Sequence, residues 1–575
     1  MSIEGEAGQV AIAAGRDETA AVPAGADDGG VDSAVRGLID GLVAEPWGQL
    51  APSVFETARL VTLSPWLDGH AERITFLVQS QRADGGWGPP DGYALVPTLS
   101  ATEALLATLH RTGSGTQRYG GTADLAAAAD RGLRALTSWL RTDLLVPDTP
   151  AADLIVPSLV AAINQHLERV PHPQTARPDG WQGYRLGLPA GMDETRLAKV
   201  RHALATGVAL PPKLLHFLEV LGPTARRAAG IHPVPPGAVG ASPAATAAWI
   251  GDPDTLAPAD PARTFLATVA AGHGGPVPCP LPITVFERAW VISGLRRAGV
   301  QFAVPPSVVA SLRGALGPVG SPTGPGLPAD ADTTSVLLFA LGRLGQHVDP
   351  RCLWTYETAD GFCTWPGEDG FSISTNAHVL DAFGQYVRSG VDPAPRYVAA
   401  IDRLTATLRE HQQVDGEWRD RWHASPYYAT ACSTLALDDF GPGPAAAESV
   451  TKAVHWILAT QRDDGSWGRW GGTLEETAYA MQVLLATRTG AAGVGPAAKR
   501  GYAYLREAAT ETIGPALWYG KELYRPTAIV RAAVLAAMHL ARQHPEAGVP
   551  AGGPAPATVQ PKPRQTDEKP VIRAA

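Results

Sequence analysis

Cysteine is scarce. Cys279, Cys352, Cys363 and Cys432 are the four in 575 residues, and no two stand at CxxC spacing. A zinc knuckle or a redox pair is thereby excluded, and small buried thiols in a reducing compartment are expected. Charge is sparse too, at 18% of residues with a net of −9, and Lys and Arg form no cluster. Neither nucleic acid nor an anionic membrane is expected as a partner. Long apolar runs are missing. The best candidate for a span, AIVRAAVLAAMHLA, is interrupted by Arg531 and falls short of the ~20 residues that cross a bilayer. The opening stretch, MSIEGEAGQVAIAAGRDE, lacks the basic start and apolar segment of a signal peptide. These absences lead to the expectation of a soluble, cytoplasmic monomer or homodimer with no stable membrane insertion. Sustained period-two alternation is scarce as well, which argues against a β-rich fold.

What the chain does contain is apolar helical pattern cut by turn residues. Hydrophobic residues make up 45%, Gly and Pro number 62 and 51, and 15 Trp stand beside only 4 Met. The length favours two domains of roughly 200–250 residues. TLSATEALLATLHRT places Leu99, Ala101, Leu105, Leu106 and Leu109 on one broad face. TTSVLLFALGRLG, NAHVLDAFGQYV, VTKAVHWILAT and LEETAYAMQVLLATRTG repeat the 3.6-residue period between Gly/Pro-rich loops. The reading is an all-α chain of helical hairpins closed into rings. Residues 1–33 and 546–575 lack that pattern and are expected to be disordered tails, and the DDGGVD run at Asp27, Asp28 and Asp32 reads as a solvated acidic stretch.

A short repeat sharpens the picture. Gln81-Arg-Ala-Asp84-Gly85-Gly-Trp87 has the form QxxDGxW. It returns at Gln412 to Trp418 and at Gln461 to Trp467, with a degenerate copy at Asp360-Gly361 followed by Trp365. Each clean copy lies between two apolar helices. Asp-Gly makes the turn, while Gln and Trp are expected to bond and stack with each other and so tie neighbouring helices. The repeat is structural and carries no catalysis.

These repeats resemble the QW motifs of the squalene–hopene cyclase and class II terpene cyclase superfamily. The resemblance runs from about Pro46 to Arg542. PSVFETARLV from Pro52, Lys213-Leu-Leu-His-Phe-Leu-Glu219, Ser242-Pro-Ala-Ala-Thr246-Ala247 and Phe286-Glu-Arg-Ala-Trp290 follow the family's order. It implies two α/α-barrel domains, called β and γ, with the active cavity between them. By similarity the γ domain is inserted over residues 50–280, and residues 34–49 join residues 281–545 in the β domain.

The family's general-acid motif is DxDD, and the matching segment is Asp330-Ala331-Asp332-Thr333-Thr334. Cyclisation starts with protonation of an alkene, a very weak base. This needs a carboxylic acid that keeps its proton in a water-poor cavity, which burial and a neighbouring carboxylate favour. The resemblance assigns Asp332 as proton donor and Asp330 as its neighbour or a route for its reprotonation. The hydroxyls of Thr333 or Thr334 would supply the hydrogen bonding of the missing carboxylate. Taken alone, DADTT reads as a helix cap. Asn376 aligns with the family's asparagine that holds the acid, while His378, two residues on and so on another helix face, reads as an ordinary buried histidine.

The remaining assignments are weaker in pattern. Asp148 and Asp153 form a DxxxxD stretch similar to the family's DxxxxE magnesium motif, which implies Mg²⁺ as cofactor on the diphosphate, with Asp143 a further acidic candidate. Lys521, Lys213 and Arg288 are candidates to clamp the diphosphate. Trp249, Trp290, Trp365, Trp422, Tyr427, Tyr428 and Tyr524 are candidates to line the cavity and steady carbocations. The expected partner is a prenyl diphosphate. DxDTT resembles drimane-forming sesquiterpene cyclases, which tilts the reading to farnesyl diphosphate cyclised to drimenyl diphosphate with the diphosphate retained. The alternative is geranylgeranyl diphosphate cyclised to a copalyl-type diphosphate. A protein prenyltransferase lacks its Cys/His zinc ligands here, an α/α-barrel glycosidase is not predicted by QW repeats, and a non-catalytic α-barrel binding module remains the non-enzyme alternative.

Overall fold

The computed structural model describes residues 28–112, 122–142, 144–169, 180–368, 370–390, 394–508 and 514–544. Helices dominate, as the 3.6-residue period implies. In chain order they begin with α1 (Asp28–Ala44), α2 (Val54–Leu63), α3 (His70–Gln79), α4 (Leu95–Thr112), α5 (Thr122–Leu140), α6 (Ala152–Glu168) and α7 (Thr195–Ala205). The short α8 (Pro212–Leu215) leads through a 3-10 segment, Leu218–Ala225, to α9 (Pro243–Ile250) and α10 (Pro261–Gly272). Then come α11 (Thr284–Arg297), α12 (Pro306–Ala315), α13 (Ala331–Arg343), α14 (Ile373–Arg388) and α15 (Pro395–Glu410). The last five are α16 (Pro426–Phe440), α17 (Pro444–Ala459), α18 (Leu474–Ala486), α19 (Val494–Ala508) and α20 (Thr527–Gln543). Two-residue strands pair into two hairpins, Ser321–Pro322 with Ala329–Asp330 and Trp518–Tyr519 with Leu523–Tyr524.

Neighbour packing closes two rings. In the first, α2, α4, α6, the 3-10 segment and α9 each pack on the next, and α9 returns to α2. In the second, α11, α13, α14, α16, α18 and α20 follow one another and α20 returns to α11, with α12, α15, α17 and α19 outside and α1 against α20. The fold is therefore a pair of α/α barrels. Residues 28–33, expected in the leading tail, open α1 instead: Val31 is buried, though Asp32 is exposed as the acidic reading required. Residues 1–27 and 545–575, and with them most of the expected tails, lie outside the described residues.

Capping explains where the inner helices begin. Ser53, Ser242, Ser372, Ser425 and Thr473 each accept a backbone N–H from the first turn of α2, α9, α14, α16 and α18. At Thr473 the cap is reciprocal: Glu476 N donates to Thr473 Oγ1 at 3.0 Å and Thr473 Oγ1 donates to Glu476 Oε2 at 2.8 Å. Proline stands at the first turn of α9, α10, α12, α15, α16 and α17, where its missing N–H costs nothing.

The three clean repeats adopt one geometry, and it differs from the expected Gln–Trp contact. Each Gln Nε2 donates to the Gly carbonyl of its own turn and to a carbonyl of the next outer helix. Gln412 reaches Gly416 and Ser449, both at 2.9 Å, and Gln461 reaches Gly465 and Ala497, both at 2.9 Å. Each Trp points the other way. Trp87, Trp418 and Trp467 are fully buried and donate to Leu77, Leu408 and Ile457 of the preceding helix at 2.7 Å. The turn itself demands glycine: Gly85, Gly416 and Gly465 have φ of 87°, 111° and 86°, and a Cβ there would lie 2.5–2.7 Å from the carbonyl oxygen of Arg131, Lys452 or Arg500. One motif thus fastens three helices, the Gln forward and the Trp back.

Candidate active site

Asp332 sits in the first turn of α13, at the mouth of the second barrel where its inner helices begin. Asp330 caps that helix, accepting from Thr333 N at 2.6 Å. Asp332 Oδ1 lies 2.7 Å from His378 Nδ1 on the adjacent α14, with both side chains mostly buried, at 16% and 9% exposure. Burial opposes charge on His378, yet the Asp332 carboxylate outweighs it, with Cys432 adding to the effect, and His378 is held well above its ordinary value. The ring is therefore an imidazolium whose positive charge stabilises the carboxylate left after Asp332 gives up a proton. The contact engages Oδ1, one of the two carboxyl oxygens. Burial, reinforced by the charge of Asp332, lifts Asp330 to about 8, so Asp330 keeps its proton at neutral pH.

Asn376 does not reach this pair. Its amide closes on backbone instead: Nδ2 donates to Phe362 O at 2.9 Å and Ser372 O at 2.8 Å, and Oδ1 accepts from Phe362 N at 2.9 Å. Asn376 and His378 do point to different faces of α14, as their spacing requires. The face toward Asp332 is that of the histidine, and a histidine read as packing is the acid's partner. Thr333 and Thr334 turn away as well. Thr333 Oγ1 lies 3.1 Å from Thr323 Oγ1, while Thr334 Oγ1 donates to Asp330 O at 2.5 Å and accepts from Ser321 N at 2.8 Å. Both hydroxyls fasten the Ser321–Asp330 hairpin to α13, so neither replaces a carboxylate at Asp332.

Several of the expected aromatic residues gather here. Trp290 meets His378 edge-on at 5.4 Å and donates Nε1 to Tyr428 OH at 2.9 Å. Tyr428 packs on Trp518 at 4.6 Å, and Phe286 joins Trp290 at 4.3 Å. Trp518 was not among the expected residues; it lies in the short Trp518–Tyr524 hairpin, which carries no helical period. Trp365 and Trp422 form an edge-to-face pair at 5.3 Å. Trp422 donates to Thr364 Oγ1 at 3.1 Å, and Thr364 O in turn accepts from Ala331 N at 3.0 Å, which puts that pair beside the start of α13. Tyr524 pairs across its hairpin with Trp518, and burial raises its phenol. Two of the candidates lie elsewhere. Trp249 donates to Ile231 O at 3.0 Å under Arg227 in the first barrel. Tyr427 faces outward onto Trp456 of α17 at 4.8 Å.

The acidic and basic candidates need correction. Asp148 and Asp153 do not form a shared metal site. Asp148 Oδ2 pairs with Arg421 at 3.1 Å and Asp153 Oδ2 with Arg196 at 2.6 Å. Among the described residues no group of three His, Cys, Asp or Glu side chains comes together as metal ligands. The magnesium assignment is withdrawn on that donor set, and Asp143 lies outside the described residues. Lys521 is 3% exposed and spent on an inter-barrel cluster: its Nζ is 2.6 Å from Glu56 Oε1, 2.7 Å from Glu219 Oε1 and 2.8 Å from Ser242 Oγ. Arg288 binds Ser311 Oγ at 2.6 Å and Leu42 O at 3.0 Å, tying α11 to α12 and α1. Only Lys213 of the three is exposed, at the barrel junction, where it and Arg421 both act on the half-buried Glu368.

Comparison with known proteins agrees with this frame. The sequence pattern of the squalene-hopene cyclase C-terminal domain matches residues 369–512. An ent-copalyl diphosphate synthase from a Streptomyces species is 41% identical over 516 residues, covering 90% of this chain and 97% of that protein. A labda-7,13-dienyl diphosphate synthase from Streptomyces clavuligerus is 41% identical, covering 88% and 92%. Among solved structures, the ent-copalyl diphosphate synthase from Streptomyces platensis superposes with a TM-score of 0.83 at 45% identity, covering 89% of this chain and 99% of that one. The chain belongs to the class II terpene cyclases and is an enzyme of that class. No helix among the described residues is long and apolar enough to cross a membrane.

Proposed function

We propose that this cyclase is a diterpene enzyme that converts geranylgeranyl diphosphate to a copalyl-type diphosphate. The observation that carries the substrate is similarity, over nearly the whole chain, to relatives named for copalyl and labdadienyl diphosphate. The tilt toward farnesyl diphosphate rested on Thr333, whose hydroxyl bonds Thr323 and not the acid. That contact gives Thr333 no means of reading chain length, so the C15 reading loses its support.

In the proposed reaction Asp332 gives its hydrogen to the terminal alkene of the substrate. A C–H bond forms as the O–H bond breaks, and the positive charge appears at the tertiary carbon. Two further alkenes attack in turn, closing two rings, and loss of one proton from carbon ends the sequence with no net change in atoms. The imidazolium at 2.7 Å supports this role by offsetting the charge left on Asp332. The aromatic group around Trp290, Tyr428 and Trp518 offers ring faces to the cations. The diphosphate stays attached, and Lys213 and Arg421 at the barrel junction are proposed to hold it.

Parallel incubations with farnesyl and geranylgeranyl diphosphates test the substrate. A kcat/KM for the C20 substrate at least about a hundredfold higher is expected, since several buried methylenes separate the two chains. Preference for the C15 chain would overturn the proposal.

A further inference from the structure

Behind His378 the second barrel is not solid. A cavity of about 90 Å³ lies in its lumen, bordered by residues of α11, α13, α14, α16, α18 and α20. It is polar on the side of His378, Asp381 and Arg297 and roomy enough to admit water. His378 and Asp381 both face it, three residues apart on α14 and hence on one face of that helix. Arg297, from the last turn of α11, faces it as well. Its guanidinium donates to Asp381 Oδ1 and lies 3.2 Å from Asp439 Oδ2. Asp381 is 2% exposed and Arg297 is nearly buried. A line of alternating charge therefore runs down the barrel axis: Asp332, His378, Asp381, Arg297 and Asp439.

The imidazolium thus stands between two carboxylates, Asp332 on α13 and Asp381 on its own helix. The other titratable groups facing it are Cys432 and Tyr428 of α16 and Tyr479 of α18, and burial raises both phenols. Which carboxylate draws on the positive charge depends on what else the second one has. Burial raises Asp381 above its ordinary value, and Arg297 first and His378 second pull against that rise. An Asp381 held by Arg297 leaves the imidazolium to Asp332.

We propose that Arg297 and Asp381 are positioning residues that reserve the charge of His378 for Asp332 and so set the strength of the acid. Without Arg297, Asp381 would compete for the imidazolium directly or through cavity water, and Asp332 would become a poorer proton donor. This rests on the assignment of Asp332 as the acid in the proposed reaction.

The test compares Arg297→Met, Arg297→Lys and the double variant Arg297→Met/Asp381→Asn, with Arg297→Gln replacing Met if that protein does not fold. Loss of Arg297 should lower kcat on geranylgeranyl diphosphate about tenfold or more, the effect of one unit of acid strength, with KM little changed. Arg297→Lys should retain most activity. The double variant should recover most of the loss, because a neutral amide does not compete. The deficit of Arg297→Met should also shrink as pH falls, since an unpaired buried Asp381 takes up a proton and stops competing. A structural lesion predicts none of this recovery. Nitrogen-15 NMR of His378 gives a readout that needs no turnover. Its Nδ1 resonance should shift in Arg297→Met and return in the double variant. A double variant no faster than Arg297→Met, or an Nδ1 signal identical in all three proteins, overturns the proposal. An NMR pattern as described, in an enzyme whose Asp332→Asn variant still cyclises, would leave the charge line standing and remove Asp332 as the acid.

Discussion

A carboxyl that protonates an alkene must hold a hydrogen, aim it, and tolerate the charge left behind. Asp332 has a helix start beneath it and an imidazolium at 2.7 Å. Asp332→Asn keeps the shape and loses the acidic hydrogen, so kcat should fall by at least about 10²–10⁴-fold in a protein that still folds and melts cooperatively. Steady-state assay beside a thermal melt checks this. The two residues of α14 should then separate by kind of effect. His378→Ala should lower kcat in a folded protein, whereas Asn376→Ala, which loses three bonds to backbone, should lower the melting temperature first. Asp332 was legible because the DxD pattern survives the change at Thr333. His378 was not, because spacing along α14 reports which residues share a face and says nothing about which face meets α13. Elsewhere at this scale, Glu287 is 1% exposed and accepts from Gln49 N at 2.6 Å. Burial lifts it to about 8 from 4.5. The folded chain then keeps a proton that the unfolded chain releases, so wild-type stability should fall from pH 4.5 to 8 by about 1.4 kcal/mol per unit from this group alone. The melting temperature of Glu287→Gln relative to wild type should rise across that window and level off above it.

At the scale of the helix pair, the repeat acts through backbone. Gly416 has φ of 111°, and a Cβ would meet Lys452 O at 2.5 Å. Gly416→Ala should cost at least about 2 kcal/mol, whereas Gly490→Ala, where a Cβ meets nothing within 4 Å, should be close to neutral. Chemical denaturation of the two variants is the check. Helix positions and the location of these turns were readable from the 3.6-residue period and the Asp-Gly pairs. The contacts were not, because a motif states which groups are present and not where the next outer helix offers its carbonyls. Gln412 finds Ser449 O and Gln461 finds Ala497 O only once the ring has closed.

At the scale of the molecule, the two barrels meet through the hairpin that carries Lys521. Burial opposes its charge, but Glu219 and Glu56 outweigh that and raise it above its ordinary range. Burial likewise opposes charge on Glu56, which Lys521 holds below its ordinary value, while Glu219 is raised by burial. The ammonium thus lies against two carboxyls, Glu56 favoured as carboxylate and Glu219 pushed by burial toward its neutral form. Removing the ammonium would leave Glu56 unpaired in the interior, so Lys521→Met should destabilise the fold by about 3–5 kcal/mol. A diphosphate clamp would instead show raised KM at unchanged stability. Two barrels were legible from the repeats and motif order. Lys521 was misread because a cation in a family-like segment looks the same in sequence whether it faces ligand or two buried carboxylates. The account as a whole stands on proton-initiated cyclisation with the diphosphate retained. Its most direct test is mass spectrometry of the unhydrolysed product after turnover of geranylgeranyl diphosphate by enzyme equilibrated in D₂O. The predicted result is an isomer of the substrate carrying one added deuterium, absent with Asp332→Asn. A hydrocarbon with free diphosphate, or a cyclised diphosphate without deuterium, would contradict it.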